Sequence, residues 1–248
     1  MTAIKTALNE KSYQIYIESE SQISIIWDAQ IDVGLNQNIH LLADKLRQDQ
    51  DLYIREIVVA YHIMSIYIDS WQFSIMRLRE LLDMKLKSYD PILERTEGVE
   101  GKLIKIPVCY DGTYGIDLEA LVQHTGLSIE EVIQRHTAPE YYVYMIGFLP
   151  GFPYLGGLDL KLQMPRKEVP RKTIFEGAVG IAGGQTGIYP LKSPGGWQII
   201  GRTPLKLFND NSSRPTLVRA GDHIKFISID LETYGDIERG IKTWDIYA

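Results

Sequence analysis

Between Gly147 and Pro204 glycine and proline recur so densely, with large apolar side chains between them, that they dictate the path of the chain. The run opens Gly-Phe-Leu-Pro-Gly-Phe-Pro-Tyr-Leu-Gly-Gly-Leu and passes through two Pro-Arg pairs. It continues as Gly-Ile-Ala-Gly-Gly-Gln-Thr-Gly-Ile-Tyr-Pro and then Ser-Pro-Gly-Gly-Trp. Proline sets φ near −65° and glycine opens positive φ, so each break in the run prescribes a turn. Linkers carry polar filler at such spacing, whereas this stretch carries Phe, Tyr, Trp and Ile. It reads as a rigid, shaped surface that lines a site or an interface.

On either side of that run the patterns are regular. Tyr13 to Glu18 and Ser21 to Trp27 alternate with period 2, and Ile54 to Tyr61 and Met64 to Ile68 are rich in Ile, Val and Tyr, so all four are expected strands. Leu35, Ile39, Leu42 and Leu46 fall on one face of a helix, and Trp71, Ile75, Leu78 and Leu82 repeat that spacing. The order ββαββα predicts an α+β domain, an antiparallel sheet with helices on one face, over residues 1–95. Around Ser88 to Gly101 periodicity gives way to charge, Pro and Gly, which marks a domain boundary.

Residues 96–248 then read as a mostly β domain. Strands are expected at Leu103–Tyr110, Tyr141–Phe148, Ala178–Ala182, Trp197–Arg202, Pro204–Phe208 and His223–Ile229. Short strands with Gly/Pro punctuation indicate a barrel or sandwich. A helical hairpin near 117–137 interrupts them, with Asp117 as the first cap and Ser128 with Glu131 as a capping box for the second helix. Two acids at the start of that second helix argue against DNA reading, because they would repel the phosphate backbone.

Composition narrows the function. With 248 residues and a formal charge of −6, the chain lacks the basic balance of a nucleic-acid binder. No stretch of 18 apolar residues predicts a membrane span, and Met1 to Lys11 lacks a secretory pattern, so a cytoplasmic protein is expected. The single cysteine, Cys109, excludes an internal disulfide and sits in a strand-like segment that favours burial. The five histidines have no metal-ligand spacing. Neither a P-loop nor a Gly-x-Ser-x-Gly elbow is present, and Gly183-Gly184-Gln185-Thr186-Gly187 lacks the P-loop lysine.

Candidate site residues therefore come from residue type and place. His136 ends a helix, where an imidazolium is favoured for acid–base work or anion binding, or where the ring simply caps carbonyls. Arg166 and Arg171 each follow a proline and can present their forks to a carboxylate or phosphate, or pair with Glu168 or Glu176. Gln185, Thr186 and Tyr189 lie in a glycine loop that suits a polar ligand. Trp197 is either a stacking wall or a core plug, and Phe148, Phe152 and Tyr154 wall a pocket or close a barrel.

The three long motifs, at 147–158, 179–190 and 193–204, resemble the KipI/PxpB family, which comprises the allophanate hydrolase subunit 1 type and the B-type subunit of 5-oxoprolinase. Ile-Pro-Val-Cys-Tyr at 106–110 and His-Thr-Gly-Leu-Ser-x-Glu-Glu-Val-Ile at 124–133 fit as well, so the resemblance runs from Leu103 to Ile229 and extends to the N-terminal ββαββα half. It implies a cyclophilin-like β-barrel behind the N-terminal α+β domain. It also implies one component of a heteromeric complex. The partners would be a C-type subunit, of the allophanate hydrolase subunit 2 type, and an A-type subunit. Together they would carry out ATP-dependent opening of 5-oxo-L-proline to L-glutamate. The ATP site is not located by the motifs. Some relatives instead inhibit a sensor histidine kinase, the alternative function the resemblance carries. On the enzyme reading, Arg166 and Arg171 are anion clamps and His136 a proton-transfer candidate. Gln185, Thr186 and Tyr189 orient the substrate, and Phe148, Phe152 and Trp197 wall it. The chain departs from the family pattern at Ile174-Phe175-Glu176-Gly177, where Val-Pro-Ala-Gly is usual.

Overall fold

The structure, a computed structural model, describes residues 12–28, 32–89 and 101–247. The chain divides into two compact units, residues 1–99 and 100–248, each with its own core. The domain change expected at 95/96 lies outside the described residues.

The first unit runs β1 (Tyr13–Ser19), β2 (Gln22–Trp27), α1 (Val33–Gln48), β3 (Ile54–Ala60), β4 (Ile63–Ile68) and α2 (Ile75–Ser88). This is the ββαββα order that the alternation predicted. Its antiparallel sheet has the strand order β1-β2-β4-β3. Period 2 places Ile23, Ile25 and Trp27 of β2 beside Met64, Ile66 and Ile68 of β4 on one buried face. Leu35, Ile39, Leu42 and Leu46 of α1, with Leu78, Leu82 and Leu86 of α2, join the same core. Asp32 starts α1 by accepting the Leu35 N–H at 2.6 Å. Trp71 corrects the helical reading. It precedes α2, in a turn where Asp69 accepts the N–H groups of Trp71, Gln72 and Phe73, and it is 96% exposed.

The second unit opens with β5 (Leu103–Cys109), α3 (Leu118–Thr125) and α4 (Ile129–Thr137), then β6 (Tyr141–Ile146) and β7 (Pro153–Gly156). It continues with β8 (Arg171–Ile174), β9 (Ala178–Ala182), β10 (Gln185–Ile188), β11 (Ser193–Gly195) and β12 (Gln198–Arg202). It closes with β13 (His223–Ile229) and α5 (Leu231–Glu238). Seven strands close a barrel in the order β10-β7-β6-β13-β5-β12-β9, while β8 and β11 form a separate two-stranded ribbon. The barrel pairs are antiparallel except for β5 with β13. Its interior is filled by Ile104, Ile106, Val143, Val179, Ile181, Ile188, Ile200 and Phe226.

The expected helical hairpin is present. Gly126 ends α3 at φ +72°, and the Ser128/Glu131 capping box opens α4. The strand expected at Pro204–Phe208 is absent, since Pro204 has no N–H to donate and Phe208 makes only an isolated bridge to Thr216. Four strands that alternation did not predict, β7, β8, β10 and β11, lie inside the Gly/Pro run, each only three or four residues long.

Candidate functional site

The Gly/Pro run folds into an aromatic floor against the outside of the barrel. Phe152, just ahead of β7, packs edge-on against Trp197 at 5.3 Å and Tyr189 at 5.2 Å, and against Tyr154 at 5.0 Å. Phe152, Tyr189 and Trp197 are buried with Ile174, Ala178 and Ile199 in a small core of their own. Gly187 makes room for it, because a Cβ there would lie 3.0 Å from the Trp197 ring. Burial pushes the Tyr189 hydroxyl up to about 12. Trp197 is a core plug, and the Arg166 guanidinium lies 5.9 Å from its ring centroid.

The loop that carries Arg166 is clamped from beneath. Gly196 O accepts the Lys167 N–H at 2.7 Å, and the Gln198 side-chain amide donates to Pro165 O at 2.9 Å. Arg171 does not pair with Glu168 or Glu176. Its fork grips Asp117, 54 residues upstream, with Nη1 and Nη2 donating at 2.8 and 2.6 Å. The same carboxylate accepts from Lys167 Nζ at 2.8 Å and from the Ile199 N–H at 2.7 Å. Burial of Asp117, only 4% exposed, works to raise its pKa. The hydrogen bonds from Arg171, Lys167 and Ile199 together outweigh burial and hold the carboxyl below its ordinary range. Two cations thus meet one carboxylate, and the cluster keeps a net positive charge. Arg166 has no acidic partner among the described residues.

His136 lies apart from that surface, fully buried in the barrel. Its ring stacks on Phe226 at 4.6 Å, and its two nitrogens contact Tyr110 Oη at 2.7 Å and Thr186 Oγ1 at 2.9 Å. Thr186 donates to Gly180 O at 3.0 Å, so it accepts from His136 Nε2, which leaves Nδ1 to accept from Tyr110. Every polar atom of this chain of groups is satisfied by a neutral imidazole. Burial lowers the His136 pKa to about 3. Gln185 begins β10 and is half-buried.

Phe148 is exposed at the tip of the β6–β7 hairpin, edge-on to Phe152 at 5.7 Å. The structure therefore brings Phe148, Phe152, Tyr189, Trp197 and Arg166 together, with Arg171 braced behind them. It sends His136 and Thr186 into the interior. Asp117, the hub of the brace, was legible in the sequence only as a helix cap. Its side chain makes no cap hydrogen bond, and no local pattern signals partners 50 and 54 residues away.

Residues 13–218 match the family described as carboxyltransferase domain, subdomain C and D. The chain is 39% identical over 229 residues to the B-type subunit of 5-oxoprolinase from Bacillus subtilis (strain 168), covering 90% of this chain and 95% of that one. It superposes on the solved structure of TTHA0988 with a TM-score of 0.74 at 32% identity. That match covers 86% of this chain but only 40% of the longer TTHA0988 chain. The urea amidolyase of K. lactis matches with a TM-score of 0.73 over 95% of this chain and 16% of its own; at 19% identity the likeness is one of fold.

Proposed function

The chain belongs to the carboxyltransferase-domain family, subdomain C and D, and we propose that it acts as the B-type subunit of an ATP-dependent 5-oxoprolinase. One observation carries this reading: a relative of that name matches nearly the whole of both chains at 39% identity. In the proposed reaction the complex opens 5-oxo-L-proline to L-glutamate, with the C-type and A-type subunits as partners. Water opens the lactam C–N bond to a carboxylate and an amine, coupled to hydrolysis of ATP to ADP and phosphate.

The floor suits such a substrate, a small ring bearing one carboxylate. Arg166, held over Trp197 with no acidic partner among the described residues, is the proposed anchor for that carboxylate. Tyr154 and Trp197 supply the apolar wall, supported by Phe152 and Tyr189 beneath, and Gln185 is a polar orienting group. Arg171 is proposed as a positioning residue, since its fork is committed to Asp117. His136 is assigned to the same supporting role, because a neutral ring with both nitrogens bonded has no free site for a proton.

ATP is proposed to enter the complex through the partner subunits. Gly183 and Gly184 form the turn of the β9–β10 hairpin, and the Thr186 hydroxyl points inward to Gly180 O. That run makes no phosphate cradle at a helix start.

Reconstitution with the C-type and A-type subunits tests the proposal. Glutamate formation that requires 5-oxoproline, ATP and all three proteins is expected. Arg166→Ala should raise KM about tenfold or more while the complex still assembles. A complete mixture that yields no glutamate overturns the reading.

A further inference from the structure

Arg166 and Trp197 are registered against each other by the residues that flank them both. Ahead of Arg166, Pro165 O accepts from the side-chain amide of Gln198, which follows Trp197, at 2.9 Å. Behind Arg166, the Lys167 N–H donates to the carbonyl of Gly196, which precedes Trp197, at 2.7 Å. Two hydrogen bonds thus bracket the guanidinium that lies 5.9 Å from the indole centroid. The flanking backbone donors of β12 are committed elsewhere. The Trp197 N–H serves the Tyr189 hydroxyl, and the Ile199 N–H serves the Asp117 carboxylate. A side chain therefore takes the place of a backbone donor to Pro165.

Gln198 is buried, only 4% exposed, and its amide is used at both ends. Besides donating to Pro165 O, it accepts from Lys167 Nζ at 3.4 Å. A carbonyl and an ammonium are opposite in kind, and at this length only an amide serves both. A carboxylate would lose the bond to Pro165, and a thioether would lose both. The loop has other attachments. Upstream, the Gly183 N–H donates to Met164 O at 2.7 Å; downstream, Asp117 holds Lys167 and Arg171. What Gln198 fixes is the peptide that joins Pro165 to Arg166.

We infer that Gln198 is a positioning residue for carboxylate recognition: it sets the Arg166 peptide so that the guanidinium stands over Trp197 before substrate arrives. Arg166 is exposed, and a long exposed side chain loses rotamer freedom when it grips a ligand. Fixing its backbone in advance lowers that cost. The gain is selective. With no acidic partner among the described residues, Arg166 rewards a ring that carries a carboxylate and gives nothing to a neutral lactam of the same shape. The inference rests on the 5-oxoprolinase reading above and adds the residue through which the floor tells an acidic lactam from a neutral one.

Kinetics of the reconstituted complex test it. Gln198→Met keeps the side-chain size and removes both hydrogen bonds, so KM for 5-oxoproline should rise about fivefold while kcat stays within about twofold of wild type. In an Arg166→Ala background the same change should move KM by less than about twofold, because nothing is left to position. Inhibition by γ-butyrolactam, the same ring without the carboxylate, should be equal in wild type and Gln198→Met. Gln198→Glu still accepts from Lys167 but cannot donate to Pro165 O, and it should reproduce the rise in KM. Near-UV spectra of the free chains check that each variant is folded. A folded Gln198→Met with wild-type KM overturns the inference. So does an equal rise in KM with and without Arg166, or a matching loss of γ-butyrolactam inhibition, because Gln198 would then support the whole floor. Failure of both Gln198 variants to fold overturns it for the same reason. Glutamate formed by wild type under any of these results leaves the 5-oxoprolinase reading standing, whereas a complete wild-type mixture that forms none overturns both.

Discussion

His136 ends a helix, where the carbonyl dipoles favour an imidazolium, but burial without any acidic neighbour decides the other way. Its folded pKa of about 3 lies below the ordinary 6.5, so the unfolded chain binds a proton that the folded chain excludes. The stabilisation is therefore complete above pH 6.5 and is lost progressively as the pH falls toward 3. Between pH 7 and pH 5 this should cost wild type roughly 2 kcal/mol more than His136→Gln, which can hydrogen-bond but not titrate. Urea midpoints at the two pH values measure it; parallel losses in both proteins would sink the assignment. Residue identity marked His136, Arg166 and Trp197 as worth attention. Which of them faces solvent depended on the strands that pack around each.

At the scale of elements, the Asp117 carboxylate joins three of them: the start of α3, the first residue of β8 and the second of β12. Asp117→Asn leaves Arg171 and Lys167 without their counter-charge. A cost of about 2–3 kcal/mol is expected, below that of a fully buried pair because both cations are partly exposed. A double-mutant cycle with Arg171→Gln should give a coupling of about 1 kcal/mol or more, and simple additivity would remove the brace from the account. The longer strands and the helices were legible because alternation and 3.6-residue spacing are local signals. The short strands β7, β8, β10 and β11 were not, because three or four residues broken by Gly and Pro carry too little alternation. Trp71 misled because three matching positions continued its spacing into a helix that starts only after Ser74.

The whole molecule has separate cores, one under the N-terminal sheet and the others in and against the barrel. Residues 101–247 expressed alone should therefore unfold in one cooperative transition and keep the near-UV signal of buried Trp197. A fragment without that signal would show that the barrel needs the N-terminal unit. Among the described residues, no helix is long and apolar enough to cross a membrane. Sequence alone determined the two-unit organisation, the ββαββα order, the helical hairpin and the family, because these rest on short-range periodicity, caps and contiguous motifs. Tertiary structure alone decided that Asp117 holds Arg171 and Lys167, that His136 and Thr186 face inward, and that Phe148 faces out. The physical reason is that burial and partnership depend on residues 50 or more positions apart, which only closure of the barrel brings within hydrogen-bonding reach.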